Sequence, residues 1–214
     1  MSGPILAFDA AGAACSAALW RDGRIAAHRR LPMARGHAEA LMPLILDVLA
    51  AGGTGFADLG EVAVGVGPGS FTGIRIALAA ARGIALAAGL PLHGVDSFSA
   101  VAAALPDGVL GSRALLVAID SKREALFGQY FDAALTPLGE ALVLPPAALL
   151  ARRPALPLLI AGDAAGLLPA VPGARLVEGD QPVDAAAIVR LAAAGKAVRA
   201  PRPLYLRAPD VTLP

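Results

Sequence analysis

Lysine is nearly missing from this 214-residue chain, where only Lys122 and Lys196 occur. Neither stands in a Gly-Lys-Ser/Thr context, which excludes the loop that grips nucleotide phosphates through a lysine. Histidine is almost as scarce. His28, His37 and His93 are scattered without metal-ligand spacing, and no His-Glu-x-x-His or Ser-His-Asp arrangement is visible, so a metallopeptidase or serine hydrolase reading has no support. A single cysteine, Cys15, excludes an internal disulfide and fits a reducing compartment; among Ala13, Ala14 and Ser16 it reads as a small buried residue. The chain also lacks an uncharged apolar run of about 18 residues, since Arg82 interrupts the stretch 76–90, and a membrane span is not expected. The Met1-Ser2-Gly3-Pro4 start has no basic region ahead of an apolar one, as a secretory signal would, and the expected location is the cytoplasm. Charge of one sign is missing too. Eighteen basic and 17 acidic residues leave a net charge of +1, so no global field draws the protein to nucleic acid or membrane.

What is present is a hydrophobic fraction of 57% and one conspicuous loop, Val64-Gly65-Val66-Gly67-Pro68-Gly69-Ser70-Phe71-Thr72-Gly73-Ile74-Arg75. It joins a short apolar strand to a long alanine-rich helix, with Ser70 or Thr72 as the cap. Such a loop either lets another molecule approach its backbone or makes only a tight connection, and its letters favour the second.

The order of elements predicts an α/β protein. A strand over 5–9, a strand over 15–20 and an Asp22-Gly23 hairpin into 25–31 make three antiparallel strands. A helix is expected over 36–51, kinked by Pro43, with His37, Leu41, Leu44 and Val48 as one stripe and Met42, Ile45 and Leu49 beside it. A buried strand at 61–67 leads through the glycine turn into a helix over 72–88. There Arg75 and Arg82 share a narrow polar stripe opposite Gly73, Ala77, Ala80, Ile84 and Ala88. That helix wants cover on two sides, so either it is fully internal or its small residues form a face for a partner helix. A strand at 92–95 follows, and Pro106-Asp107-Gly108 marks a domain junction. The second half restarts with strands at 114–120 and 125–131, then a strand near 156–161, a short helix after Gly162-Asp163, a strand at 175–177, a helix over 184–194 and an extended tail at 201–207. Both halves begin strand-Asp-turn-strand, which suggests an internal duplication with mixed sheets. The expected domains are 1–105 and 106–214, with the end of the chain free to pack back on the first.

Taken together, Ile5-Leu6-Ala7-Phe8-Asp9, Cys15-Ser16, His37-Ala38-Glu39-Ala40-Leu41-Met42-Pro43, Gly67-Pro68-Gly69-Ser70-Phe71-Thr72-Gly73-Ile74-Arg75, Ile119-Asp120-Ser121-Lys122-Arg123 and Pro203-Leu204-Tyr205-Leu206-Arg207 resemble the bacterial TsaB (YeaZ) family. That family lies in the glycoprotease-like branch of the actin-like ATPase (ASKHA, RNase H-like) superfamily. The resemblance spans nearly the whole chain and is loosest over 138–179. It implies a duplicated ASKHA fold and a part in making N6-threonylcarbamoyladenosine beside the anticodon of tRNA. TsaB-like proteins serve there as partners of a TsaD subunit that transfers the threonylcarbamoyl group. A TsaE ATPase joins the larger complex, and another enzyme makes threonylcarbamoyl-adenylate. TsaB-like chains pair with TsaD, or with themselves, through the first-domain helices.

The residues test that implication. TsaD-like subunits hold a metal through a His-x-x-x-His pair after the second helix, where this chain has Ser97 and Val101. No catalytic residue and no metal ligand are therefore assigned. The expected partner-binding set is His37, Leu41, Leu44, Ile45, Gly73, Arg75, Ala77, Ala80, Arg82 and Ile84, with the two arginines pairing carboxylates at the rim. Replacing Ala77 or Ala80 with a large residue should then abolish pairing without harming the fold. Asp9, Gly12 and Asp120 are the candidates for a cation or nucleotide between the halves, although Ala10 and Ala11 supply no hydroxyl donors. Asp carboxylates capping turn amides remain an equal reading of Asp9 and Asp120. The expectation is a non-catalytic subunit without its own cofactor, leaving open a nucleotide at a subunit junction and reaching tRNA only through the complex. The alternative is an ATP-dependent ASKHA enzyme with an interdomain Mg-nucleotide site.

Overall fold

The computed structural model describes residues 3–177, 182–196 and 198–207. Strands β1 (Ile5–Asp9), β2 (Ala14–Arg21) and β3 (Arg24–Pro32) form an antiparallel meander. Helix α1 (His37–Ala51) follows, running unbroken through Pro43, and then a short 3-10 turn (Phe56–Asp58). Strands β4 (Glu61–Gly65) and β5 (Leu92–Val95) join beside β1 in parallel, connected by helix α2 (Phe71–Ala88). Helix α3 (Ser97–Ala103) leads to the second half.

The second half repeats the opening. Strands β6 (Ala114–Ile119), β7 (Leu126–Phe131) and β8 (Leu142–Leu144) are antiparallel. After helix α4 (Pro146–Ala151) come β9 (Leu158–Ala161) and β10 (Ala174–Leu176), which extend the sheet in parallel. Helix α5 (Ala185–Ala193) and strand β11 (Val198–Arg199) then return to the first half. Two sheets result, ordered β11-β5-β4-β1-β2-β3 and β10-β9-β6-β7-β8.

The central strands β1, β4, β6 and β9 read as nearly continuous apolar runs because both of their faces are covered. On one face of the first sheet, α1 and α2 bury Leu41, Ile45, Val48, Ile74, Ala77 and Leu78 against Leu6, Phe8 and Val64. On the other, α5 packs Ile188 and Val189 on Ile5, Ala7 and Ala63. Helix α3 lies at the junction of the two halves, giving Ala100 to the α5 side and Phe98 and Val101 to the core of the second sheet. Among the described residues α2 alone has the length and composition to cross a membrane, but it carries Arg75 and Arg82 and its inner face belongs to the core.

Candidate functional site

The glycine loop is shaped by what it packs on. A Cβ on Gly73 would lie 1.9 Å from the Ala10 carbonyl oxygen, and one on Gly69 would lie 2.6 Å from that of Ala11. Glycine at 73 therefore lets the first turn of α2 press onto the β1–β2 turn, so one side of the loop is filled by the protein's own backbone while Pro68 to Phe71 line the cleft on another. Ser70, rather than Thr72, caps the helix, its Oγ accepting from the Gly73 amide at 3.2 Å. The Gly67–Pro68 peptide is cis.

Much of the expected partner-binding set faces inward. Leu41, Leu44 and Ile45 of α1 and Gly73, Ala77 and Ile84 of α2 are buried core positions. The small residues of α2 serve close approach to its own sheet, so their expected role on a partner face is corrected. Ala80 is half-buried and borders both the core and the surface. The outward face instead carries Leu86, 86% exposed, Leu46, 51% exposed, and Met42, 37% exposed. Between Met42 and the Phe56-Ala57 turn on one side and Ala80, Gly83 and Ala87 on the other runs an almost wholly apolar groove of about 600 Å³.

Arg75 and Arg82 are not free rim charges either. Arg75 donates from Nε to the Tyr205 hydroxyl at 3.0 Å and lies 3.7 Å over the Phe71 ring, which itself meets the Tyr205 ring at 5.0 Å. Arg82 donates to the Pro201 carbonyl at 2.9 Å. Both tie the tail to α2, a contact no local spacing signals, because its partners lie 119 and 130 residues apart.

His37 sits apart from the groove. It is half-buried at the mouth of the cleft between the two halves, with Nε2 3.1 Å from the Gly12 carbonyl, rather than packed in the core. The cleft, about 730 Å³, is lined by Gly12, His37, Ser70, Asp120, Lys122 and Arg123 among others, but not by Asp9. Asp9 is 1% exposed. Its Oδ2 accepts from the Ala11 amide at 2.9 Å, and Oδ1 has no hydrogen-bond partner among the described residues. Burial pushes its carboxyl up to about 6, with Asp184 adding repulsion and the backbone bonds opposing. Asp120 accepts from its neighbour Lys122 twice, Oδ1 from the amide and Oδ2 from Nζ, both at 2.7 Å. Burial raises the Asp120 pKa, but the Lys122 bonds outweigh it and hold the carboxyl below its usual range. The two aspartates cap turn amides in separate surroundings, and the expected cation site between them is corrected. Among the described residues no three His, Cys, Asp or Glu side chains converge as metal ligands.

At the two positions compared above with a His-x-x-x-His pair, Ser97 and Val101 are both core residues of α3, and Asp96 caps that helix by accepting from the Ser99 amide at 2.9 Å. Cys15 is buried, and burial pushes its thiol up to about 11, an unreactive setting.

Two mixed sheets built on a repeated meander, with a cleft between them, define the duplicated two-domain architecture of the actin-like superfamily. A family model described as TsaD, tRNA N6-adenosine threonylcarbamoyltransferase, matches residues 32–150. The chain is 41% identical over 130 residues to the tRNA threonylcarbamoyladenosine biosynthesis protein TsaB of Escherichia coli, a match covering 59% of this chain and 54% of that protein. It is 36% identical over 209 residues to an uncharacterized protein of Mycobacterium tuberculosis, covering 96% and 92%. The solved YeaZ of Pseudomonas aeruginosa superposes with a TM-score of 0.82 at 28% identity, over 96% of this chain and all of that one. The chain belongs to the TsaB (YeaZ) family, in the glycoprotease-like branch.

Proposed function

We propose that this chain is a non-catalytic cytoplasmic subunit in the formation of N6-threonylcarbamoyladenosine in tRNA, docking on and activating a TsaD-type transferase through the α1–α2 face. The observation that carries the reading is that face itself. Leu46, Leu86 and Met42 stand exposed on α1 and α2, Met42 lines the apolar groove between the two helices, and the opposite sides of both are already committed to the core. Exposed apolar side chains on a helix that also exposes Glu39 and Asp47 have the make-up of a protein interface, apolar at the centre and charged beyond it. Ser97 and Val101 support the non-catalytic part, since both are packed where ligands of a transferase metal would have to be free. A TsaE-type ATPase would join the assembled pair, a second copy of this chain would use the same face, and tRNA would be reached through the complex. The alternative, an interdomain Mg-nucleotide enzyme, draws less support, because Asp9 is sealed beneath the β1–β2 turn and Asp120 is held by Lys122.

The reading is tested in cells that depend on this chain for the modified nucleoside. Leu86→Glu places a charge on the docking face at a position the monomer does not use. It should lower threonylcarbamoyladenosine in tRNA as far as deletion does, while the variant accumulates at wild-type levels. Full modification with Leu86→Glu would remove the face from the account.

A further inference from the structure

Residues 198–207 cross from one half of the molecule to the other, and every anchor along them is specific. Strand β11 pairs with β5, Val198 opposite Val95 and Arg199 opposite Gly94. Gly94 lets the chain pass, because a Cβ there would lie 2.9 Å from the Ala200 carbonyl. Arg199 reaches Asp96 at 3.6 Å, Arg82 holds the Pro201 carbonyl, and the Leu204 amide donates to the Val66 carbonyl at 2.8 Å. The side chains then divide. Leu204 packs against the core of the first sheet and Leu206 against that of the second.

The packing around this segment is incomplete. It runs between two cavities, of about 320 and 360 Å³, and Leu204 and Leu206 line both. The larger one shares Gly69, Phe71, Ser121 and Phe127 with the cleft between the halves. A segment held by a few separate anchors with space on both sides opens locally at lower free energy than the sheets it joins.

We propose that residues 198–207 are a clasp, fastened by the Tyr205–Phe71–Arg75 stack and the Arg82–Pro201 bond, that holds the two halves closed beside their cleft and lets them part when released. The proposal is independent of which partner the α1–α2 face takes. Hydrogen exchange and solution scattering on the full chain test it. In the wild type, the amides of 198–199, Arg202 and Leu204 should be protected. Tyr205→Ala removes the ring contact and the Arg75 bond, and should speed exchange about tenfold in the clasp and in both cleft walls, 66–71 and 121–127, as a loss of roughly 1.4 kcal/mol in local opening would. The radius of gyration should rise, while amides of β1 and β6 keep wild-type rates. Arg82→Ala should do the same to a smaller degree. Faster exchange confined to 198–207, with unchanged walls and radius, would overturn the clasp and leave a passive tail. Loss of protection throughout β1 and β6 in both variants would also overturn it, because the segment would then be part of the global fold.

Discussion

Asp9 is a carboxyl sealed in the first sheet, with one oxygen bonded to the Ala11 amide and the other unpartnered. Gly65 makes room for it, since a Cβ there would fall 1.9 Å from Oδ1. Gly65→Ala should therefore destabilise the protein by several kcal/mol, more than the about 1 kcal/mol that the same change alters in an open site, as measured by urea unfolding. The raised pKa sets a pH dependence. Below about 4 the group is neutral folded and unfolded and contributes nothing. Between about 4 and 6 the unfolded state loses its proton first, so stability falls as pH rises, by about 3 kcal/mol in all. Asp184 works in the opposite direction, because the hydrogen bond from His28 at 2.8 Å and its Ala186 bond outweigh burial and lower its pKa. The difference between wild type and Asp9→Asn isolates the first effect. The variant should gain on the wild type through the 4–6 window and keep its advantage above it, provided its amide oxygen still accepts from Ala11. A difference that is flat with pH would mean that Asp9 titrates in the folded protein as it does in the unfolded chain.

Helix α2 shows how far one element can be read from its own letters. Its bounds and its Gly-Pro-Gly start were legible because period and cap are local properties. Which side faces out was not. Ala77 and Ala80 look alike in sequence, yet Ala77 is sealed and Ala80 borders the groove. Arg75 and Arg82 looked like rim charges because Tyr205 and Pro201, which occupy them, arrive from the far end of the chain. The element-scale predictions follow from the inward side. Ala77→Leu should cost the monomer about 1–3 kcal/mol by overpacking, the opposite of a pure interface residue. Gly83 faces open space and a Cβ there meets nothing within 4 Å. Gly83→Ala should raise stability by up to about 1 kcal/mol through helix propensity alone. Thermal unfolding of the two variants beside the wild type checks both.

For the whole molecule, the repeat of strand, aspartate and hairpin in each half was visible in the chain, and it corresponds to the two meanders β1–β3 and β6–β8. The stretch 138–179 was the least legible. Its strand β8 is three residues long, too short for alternation to register, whereas β9 and β10 fall on the strands expected near 156–161 and at 175–177, and the last two residues of the stretch lie outside those described. Strand β11 was also invisible, because two residues carry no pattern and their pairing with β5 is decided by the return of the chain over Gly94. The proposed docking of a TsaD-type subunit on the α1–α2 face belongs to this scale. Light scattering after size exclusion tests it most directly, on this chain mixed equimolar with the TsaD-type subunit of the same organism, as wild type and as Leu86→Glu. The wild type should give a species containing both chains, and the variant should elute separately from the partner while eluting and melting like the wild type by itself. Separate elution of the wild type at micromolar concentration, with and without nucleotide, or an undiminished complex with Leu86→Glu, would contradict it.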